Sequence, residues 1–375
     1  MAASFLSPAL LVFVCALGAA LARAPAPAPA RFAPPPPPPI DAPLAVAPAA
    51  EETLPVVAPY SHAVNLAELP DGRLAAVWYA GSREAVADVA IWLSLRESDG
   101  WSAPRRIADR EQTAGDTGAF VGTLGNPALI AIGGRLHLFY VSVGYGGWAA
   151  SSLNARFSDD SGLTWSPARK LPTSPFLNIS TLARGAPVPM EDGGVGLPVY
   201  HEMIDRRGEW LRLSPQGEVL AKTRLPSTRP ALQPSVAALD ETHALAILRD
   251  NGDGPGVLMA AATDDGGETW RARANLPIVN EDSFAALLRL RDGRLLLAAN
   301  PAPGKKRNPL VLFTSAGGDE WRSVCTVERS ASGDDDFAYP SLLQSRDGLI
   351  HLAYARNYQA LVHRVFSADF AGCAP

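Results

Sequence analysis

The sequence predicts an all-β fold, a six-bladed β-propeller, on three observations. First, from residue 57 onward short β-branched or apolar runs follow one another, such as RLAAVWYA (73–80), RLHLFYVSV (135–143) and LIHLAYAR (349–356). Turn signals of the PDG and RDG type separate them and helical periodicity is almost absent, the pattern of strands. Second, one octapeptide recurs: SDDSGLTW at 158–165, TDDGGETW at 263–270 and TSAGGDEW at 314–321, with a shortened ESDGW at 97–101 and a degraded SPQGE at 214–218. Third, the strand runs fall into six groups, near 57–106, 120–172, 178–224, 230–276, 281–327 and 335–370. Sheets of this size cannot bury their apolar faces alone, so radial packing into a closed ring is the expected solution.

In chain order, Phe5 to Ala22 is apolar and exits through small residues, as a signal peptide over residues 1–23 does. No Lys or Arg precedes it, and about 18 apolar residues just suffice to span a bilayer, so an uncleaved anchor formed by residues 5–22 is the rival reading. Pro8 and the small-residue exit favour cleavage. Residues 24–50 are mostly Ala and Pro, including PPPPPP at 34–39, and read as an extended spacer. Residues 51–375 then form the propeller. In each octapeptide an Asp carboxylate accepts backbone N–H groups of a hairpin turn, a Gly takes a positive φ, and the Trp packs between neighbouring sheets. Asp160, Asp265, Trp165 and Trp270 are therefore structural, and each turn joins the third and fourth strands of a blade. The sixth group shows only three strands. Residues 51–57 are expected to supply its outer strand, since an unclosed ring leaves two edges exposed. Export leaves Cys325 and Cys373 as the mature cysteines, with a disulfide and two buried thiols equally open.

Composition narrows the partners. Of 375 residues, 47% are hydrophobic and 19% charged, enough for a core, and the net charge is -5. That balance argues against nucleic acid, which needs a basic face. The tight basic cluster is GKKR at 304–307. No H-E-x-x-H or paired C-x-x-C spacing occurs, so neither a metal nor another cofactor is expected. A membrane enters only through the N-terminal segment, and the expected location is periplasmic or extracellular in a bacterium.

Two intact octapeptides at this spacing resemble the Asp-box (BNR) repeats of the sialidase superfamily, over nearly everything after residue 57. WYAGSREAVADVAIWLS (78–94), GNPALI (125–130) and DDFAYPSLLQ (335–344) are most similar to its bacterial predicted-neuraminidase branch. The resemblance implies an active site at one end of the central channel. It also implies a tyrosine nucleophile with a glutamate base, an acid/base carboxylate on an early loop, and three arginines around the substrate carboxylate.

Tyr339 matches the nucleophile. A phenol suits the role because an anionic nucleophile would be repelled by a carboxylate on the anomeric carbon. Arg249 in ILRDN and Arg307 in NPAPGKKRNPLVL match two of the arginines, whose forked guanidinium binds carboxylate bidentately. Glu84 and Asp88, in SREAVADVA, occupy the acid/base loop, with Arg83 beside them as a ligand or as the partner of Glu84. Two positions depart from the pattern. His62 stands where the third arginine is expected, and Gln233 stands where the glutamate base is expected, although an amide cannot take a proton from a phenol. Glu202 in VYHEM is the substitute base, with Tyr200 and His201 beside it. Asn126, Asp282, Asn300, Tyr354 and Arg356 are further expected pocket residues. The leading expectation is an exo-acting glycoside hydrolase that removes a terminal sialic or uronic acid from a glycan. The alternatives are a non-catalytic carbohydrate-binding propeller and a polysaccharide lyase acting on a uronate.

Overall fold

Six antiparallel sheets succeed one another along the chain in the computed structural model, which describes residues 29–36, 51–174, 178, 180–253, 256–371 and 373. The apolar stretch at 5–22 and the rest of the Ala/Pro-rich segment lie outside the described residues. The innermost strands of blades one to six are Tyr60–Glu68, Thr123–Ile132, Leu182–Ala183, Ala231–Ala238, Ala286–Arg289 and Phe337–Gln344. Each blade then runs outward through hairpins, as in blade four, where Ala231–Ala238 is followed by Ala244–Asp250, Met259–Thr263 and Arg271–Arg273. Only one α-helix is found among the described residues, Arg110–Thr117 between blades one and two, N-capped by Asp109. The expected all-β propeller is thus what the chain forms.

The octapeptide turns work as their composition demands. Thr164 N–H donates to Asp160 Oδ1 at 2.9 Å and Thr269 N–H to Asp265 Oδ1 at 2.9 Å. Trp165 and Trp270 each donate Nε1–H to the carbonyl of the turn glycine at 3.2 Å. That glycine is obligatory twice over. Gly162 and Gly267 have φ of 81° and 92°, and a Cβ on either would fall 2.5 Å from Leu93 or 2.6 Å from Trp210 of the preceding blade. The turn therefore sets the distance between adjacent sheets, which explains why its glycine and tryptophan persist in TSAGGDEW while its Asp does not.

Blade six closes the ring as expected: Glu51–Thr53 pairs antiparallel with Ala360–Phe366, Glu51 opposite Arg364 and Thr53 opposite Val362. Two glutamates hold this strand. Arg96 of blade one grips Glu52 with two bonds of 2.9 and 2.6 Å, and Arg364 reaches Glu51 at 2.5 Å. The hydrogen bond from Arg96, against the opposing effect of burial, holds the Glu52 carboxyl down to about 2. Because the folded value is depressed, this stabilisation is complete above the ordinary glutamate range and is lost as pH falls from there toward about 2. The urea midpoint is expected to drop over that interval, and to drop less in Glu52→Gln. Equal slopes for the two proteins would show that the clasp adds nothing.

The C-terminus is also fastened. Cys325, on the outer strand of blade five, forms a disulfide with Cys373, which decides between the two alternatives left by the sequence.

One element differs from the spacer expected of residues 24–50. Phe32 is completely buried, edge-on to Trp210 at 5.9 Å, among Val188, Met190 and Trp270 between blades three and four. Its N–H donates to the Glu241 carbonyl, Ala33 N–H to that of Pro189, and Glu191 N–H to that of Arg31, at 2.7, 2.9 and 3.0 Å. Arg31 pairs with Glu241 at 2.6 Å. A single aromatic side chain gives this stretch the apolar area that its Ala and Pro neighbours lack, so residues 29–36 dock as a strap.

Candidate functional site

The site is set by a backbone feature repeated around the channel. Each blade carries one non-glycine residue at positive φ at the start of, or just before, its innermost strand: Ala63, Asn126, Ser180, Gln233, Asp282 and Tyr339, with φ from 44° to 60°. In blades one, two, four and six the register slips across this residue, as it does at a β-bulge. A bulge re-aims the side chain that carries it, and left-handed backbone at a non-glycine residue is strained. Of these six residues, Asn126, Gln233 and Tyr339 present their side chains to a cavity at the channel mouth. Three of them precede proline, in NPA, QPS and YPS.

That cavity, of about 400 Å³, is lined by Tyr79, Glu84, Asn126, Trp148, Ala149, Tyr200, Glu202, Arg206, Leu232, Gln233, Arg249, Asn251 and Tyr339. Its volume lies within the ~300–1,000 Å³ range of small-ligand sites. Trp148 rides on the short 3₁₀ turn Gly147–Ala150 and packs onto Gly125, where a Cβ would come within 2.6 Å of the indole.

The phenol of Tyr339 is the hub. Arg249 donates to Gln233 Oε1 at 2.7 Å, and since a guanidinium can only donate, this fixes the amide orientation. Gln233 Nε2 therefore donates to the Tyr339 oxygen at 2.9 Å, and Arg249 adds a longer bond of 3.3 Å to the same oxygen. The phenol oxygen thus meets two donors and no carboxylate. Arg249 is itself braced by Asp282 at 2.6 Å, which in turn accepts from Asn251 at 2.6 Å. Burial works against both charges of this pair. For Arg249 it is outweighed by Tyr339 and Asp282, which raise the guanidinium; for Asp282 it is outweighed by Arg249, which keeps the carboxylate low.

Around the ring stand further groups. Arg307 lies 5.2 Å from the Tyr339 centroid and bonds to the Tyr358 hydroxyl. His62 lies 4.2 Å from it, buried, with Nδ1 unpartnered. Burial first, then Arg307, Arg184 and Arg249, pushes this imidazole well below its usual range, so it is neutral. Arg184, which sequence reasoning missed, lies fully buried against the same ring at 5.1 Å.

Two carboxylates face the cavity. Glu202 is placed by Ser180, whose Oγ accepts the N–H groups of Glu202 and Met203 at 3.0 and 2.9 Å. Burial raises the Glu202 carboxyl, with Arg249 and Arg206 opposing. Glu84 accepts from the Tyr60 and Tyr79 hydroxyls at 3.1 and 3.3 Å.

Other expected residues lie elsewhere. Asp88 turns back to accept from Ser82 N–H and Oγ at 3.1 and 3.2 Å, so it shapes its own loop and does not reach the cavity. Arg83 is exposed on that loop and lines no part of the cavity wall. Arg356 is held away by Glu328 and by Glu51, the latter at 3.1 Å, so it serves ring closure. Tyr354 also bonds to Glu328, and Asn300 is spent on the carbonyls of Arg307, Pro309 and Phe337. Among the described residues, no group of three or more His, Cys, Asp and Glu is placed to hold a metal ion.

The model of one protein family, described as a BNR repeat-like domain, matches residues 72–352. No curated protein matches the chain. Among solved structures, it is similar to the Hadza microbial sialidase Hz136, with a TM-score of 0.69 and 16% identity over 82% of this chain. The match spans 66% of that sialidase, just under two thirds. It is also similar to a protein of unknown function from Dyadobacter fermentans (TM-score 0.66, 14% identity, 84% of this chain and 97% of that one). A third is the intramolecular trans-sialidase of Ruminococcus gnavus, in complex with oseltamivir carboxylate (TM-score 0.64, 14% identity, 84% and 96%). At these identities the likeness is one of fold.

Proposed function

We propose, from the premise that this chain belongs to the BNR repeat-like domain family of the sialidase superfamily, that it is an exo-acting glycosidase removing a terminal acidic sugar. The observation that carries the reading is the Tyr339 phenol on the wall of a cavity sized for a small ligand, with Arg249 bonded to its oxygen and Arg307 against its ring. A sugar carboxylate laid against these guanidinium groups brings the anomeric carbon to the phenol oxygen. That oxygen attacks, the glycosidic bond breaks, and Glu84 delivers a proton to the departing oxygen. Water then attacks the tyrosyl-linked sugar with Glu84 as base, the bond between the sugar and the Tyr339 oxygen breaks, and Glu202 returns the proton that restores the phenol. Glu202 takes the phenolic proton in the first step. Burial makes it a stronger base than an ordinary carboxylate once it is ionised. The apolar stretch at 5–22 supports action outside the cytoplasm, on glycans met there.

The test is turnover of fluorogenic sialosides and uronides by the purified protein. Glu84→Gln is expected to lose roughly 10²–10⁴-fold on substrates with poor leaving groups while keeping most activity on activated aryl glycosides. Glu202→Gln should lose activity on both. As a base with a raised folded value, Glu202 sets an acid limb above the ordinary carboxylate range, and that limb should vanish in Glu202→Gln. Glu84→Gln impaired equally on all leaving groups would remove it from the acid/base role.

One observation favours a second reading. The neutral His62 beside Tyr339, with an amide at Gln233, suits abstraction of a proton next to a uronate carboxylate, the chemistry of a lyase. Unsaturated uronate absorbance from acidic polysaccharides would select it. Glycan binding without turnover would select a binding propeller.

A further inference from the structure

Arg184 follows the short innermost strand of blade three and crosses the channel beneath the site. It donates to the carbonyls of Tyr339, Val64 and Pro340 at 2.7, 3.3 and 3.3 Å, and its Nε has no partner. The guanidinium lies 4.5 Å from the Phe284 ring centroid and 5.1 Å from that of Tyr339. Among the described residues no carboxylate pairs with it, and the acidic groups whose ionised form it would favour are the phenols of Tyr339, Tyr200 and Tyr79. Burying a charge without a counter-ion is among the costliest placements in a protein interior, and an apolar side chain fills such a position more cheaply. Burial pulls this arginine down to about 10, still charged at neutral pH.

The cost has a counterpart on the other side of the ring. Gln233, bonded to the phenol, cannot accept its proton, so the tyrosine has no carboxylate base in contact. A cation held against an aromatic face in a dry site favours negative charge on that ring. We infer that Arg184 is a positioning residue that stabilises the negative charge developing on the Tyr339 phenol as its proton leaves, offsetting by its field the loss of the carboxylate base that Gln233 displaces. The inference rests on the reading of Tyr339 as the reacting group. In the step concerned, the phenolic O–H bond breaks, its electron pair stays on oxygen and the proton passes to Glu202, on the wall of the same cavity. The groups that face Tyr339 are Arg249 and Gln233 of blade four, His62 and Tyr79 of blade one, Tyr200 of blade three, Arg307 of blade five and Tyr358 of blade six. The carboxylates Glu84, Glu202, Asp282 and Asp336 stand one remove away. Of the three arginines at the phenol, Arg249 and Arg307 have acidic partners, and Arg184 has none among the described residues.

The test reads the phenolate directly and needs no substrate. Ultraviolet phenolate absorbance is titrated against pH in the full-length protein, and the Tyr339→Phe spectrum is subtracted to isolate this one residue. In Arg184→Met the Tyr339 phenolate at a given pH is expected to fall at least tenfold, with Arg184→Lys recovering part of it. Should the Met variant fail to fold by circular dichroism, Arg184→Lys and Arg184→Gln carry the comparison, with the charged variant expected to retain more phenolate. An unchanged Tyr339 titration in a folded Arg184→Met or Arg184→Gln protein would overturn the inference. A shifted titration in a protein that turns over no acidic glycoside would uphold it and sink the glycosidase reading instead.

Discussion

Tyr339→Phe is expected to lower kcat on every cleaved substrate by on the order of 10³-fold or more, the size of loss seen when a covalent nucleophile is removed. The change deletes one oxygen atom and leaves a ring of the same shape between Arg184, Arg307 and His62. Packing is therefore nearly conserved, and the thermal midpoint should move little. The bonds from Gln233 and Arg249 lose their shared acceptor, but Gln233 keeps its bond from Arg249, and Arg249 keeps Asp282. Binding of a carboxylate-bearing sugar, measured by calorimetry, should stay within a few-fold. A loss of kcat with retained binding places the phenol in the chemistry. If Tyr339→Phe keeps substantial turnover, the nucleophile is another group, and Tyr200, close to Gln233 at 3.5 Å, is the next to replace.

The second large effect is on stability. Phe32→Ala removes a completely buried ring from the junction of blades three and four and is expected to cost about 3–5 kcal/mol, the range for deleting a core aromatic. Trp210, Met190 and Val188 would line the resulting hole, and Gly266 would face an emptied groove, since the strap passes so close that a Cβ there would sit 1.8 Å from the Ala30 carbonyl oxygen. The measurement is urea unfolding of the full chain beside Phe32→Ala. A synthetic peptide spanning residues 29–36 should restore part of the lost stability in trans, by mass action on the empty socket. Equal unfolding midpoints for wild type and variant would mean that the strap does not dock in solution.

These two residues differ in how legible they were. Tyr339 was marked by its neighbours in FAYPSLLQ, and Gln233 and Arg249 by their motifs, because strand-start and strand-end positions keep a fixed offset from the repeats. Phe32 carries no such mark: it is one aromatic in a run of Ala and Pro, and only the groove opposite it makes it a core residue. Asp88 and Arg356 mark the limit in the other direction. Asp88 sits in a segment resembling a site motif and Arg356 at the end of a second strand, yet Asp88 is satisfied by Ser82 and Arg356 by Glu328, and partners of this kind are decided by how the chain folds.

The sequence alone determined the all-β class, the six blades, the structural role of the Asp-box residues and the closure by the segment 51–57, of which Glu51–Thr53 forms the strand. All of these follow from short-range regularities: alternation, turn chemistry and the spacing of a repeat that stacks on its neighbour. Tertiary structure alone decided what meets at the channel. Arg184, Tyr79 and Trp148 come from blades far from Tyr339 in the chain, and each looks like an ordinary core or loop residue where it stands. They converge because a closed ring gathers strand ends and connecting turns of several blades around one axis, and no local pattern records which side chains face each other across it.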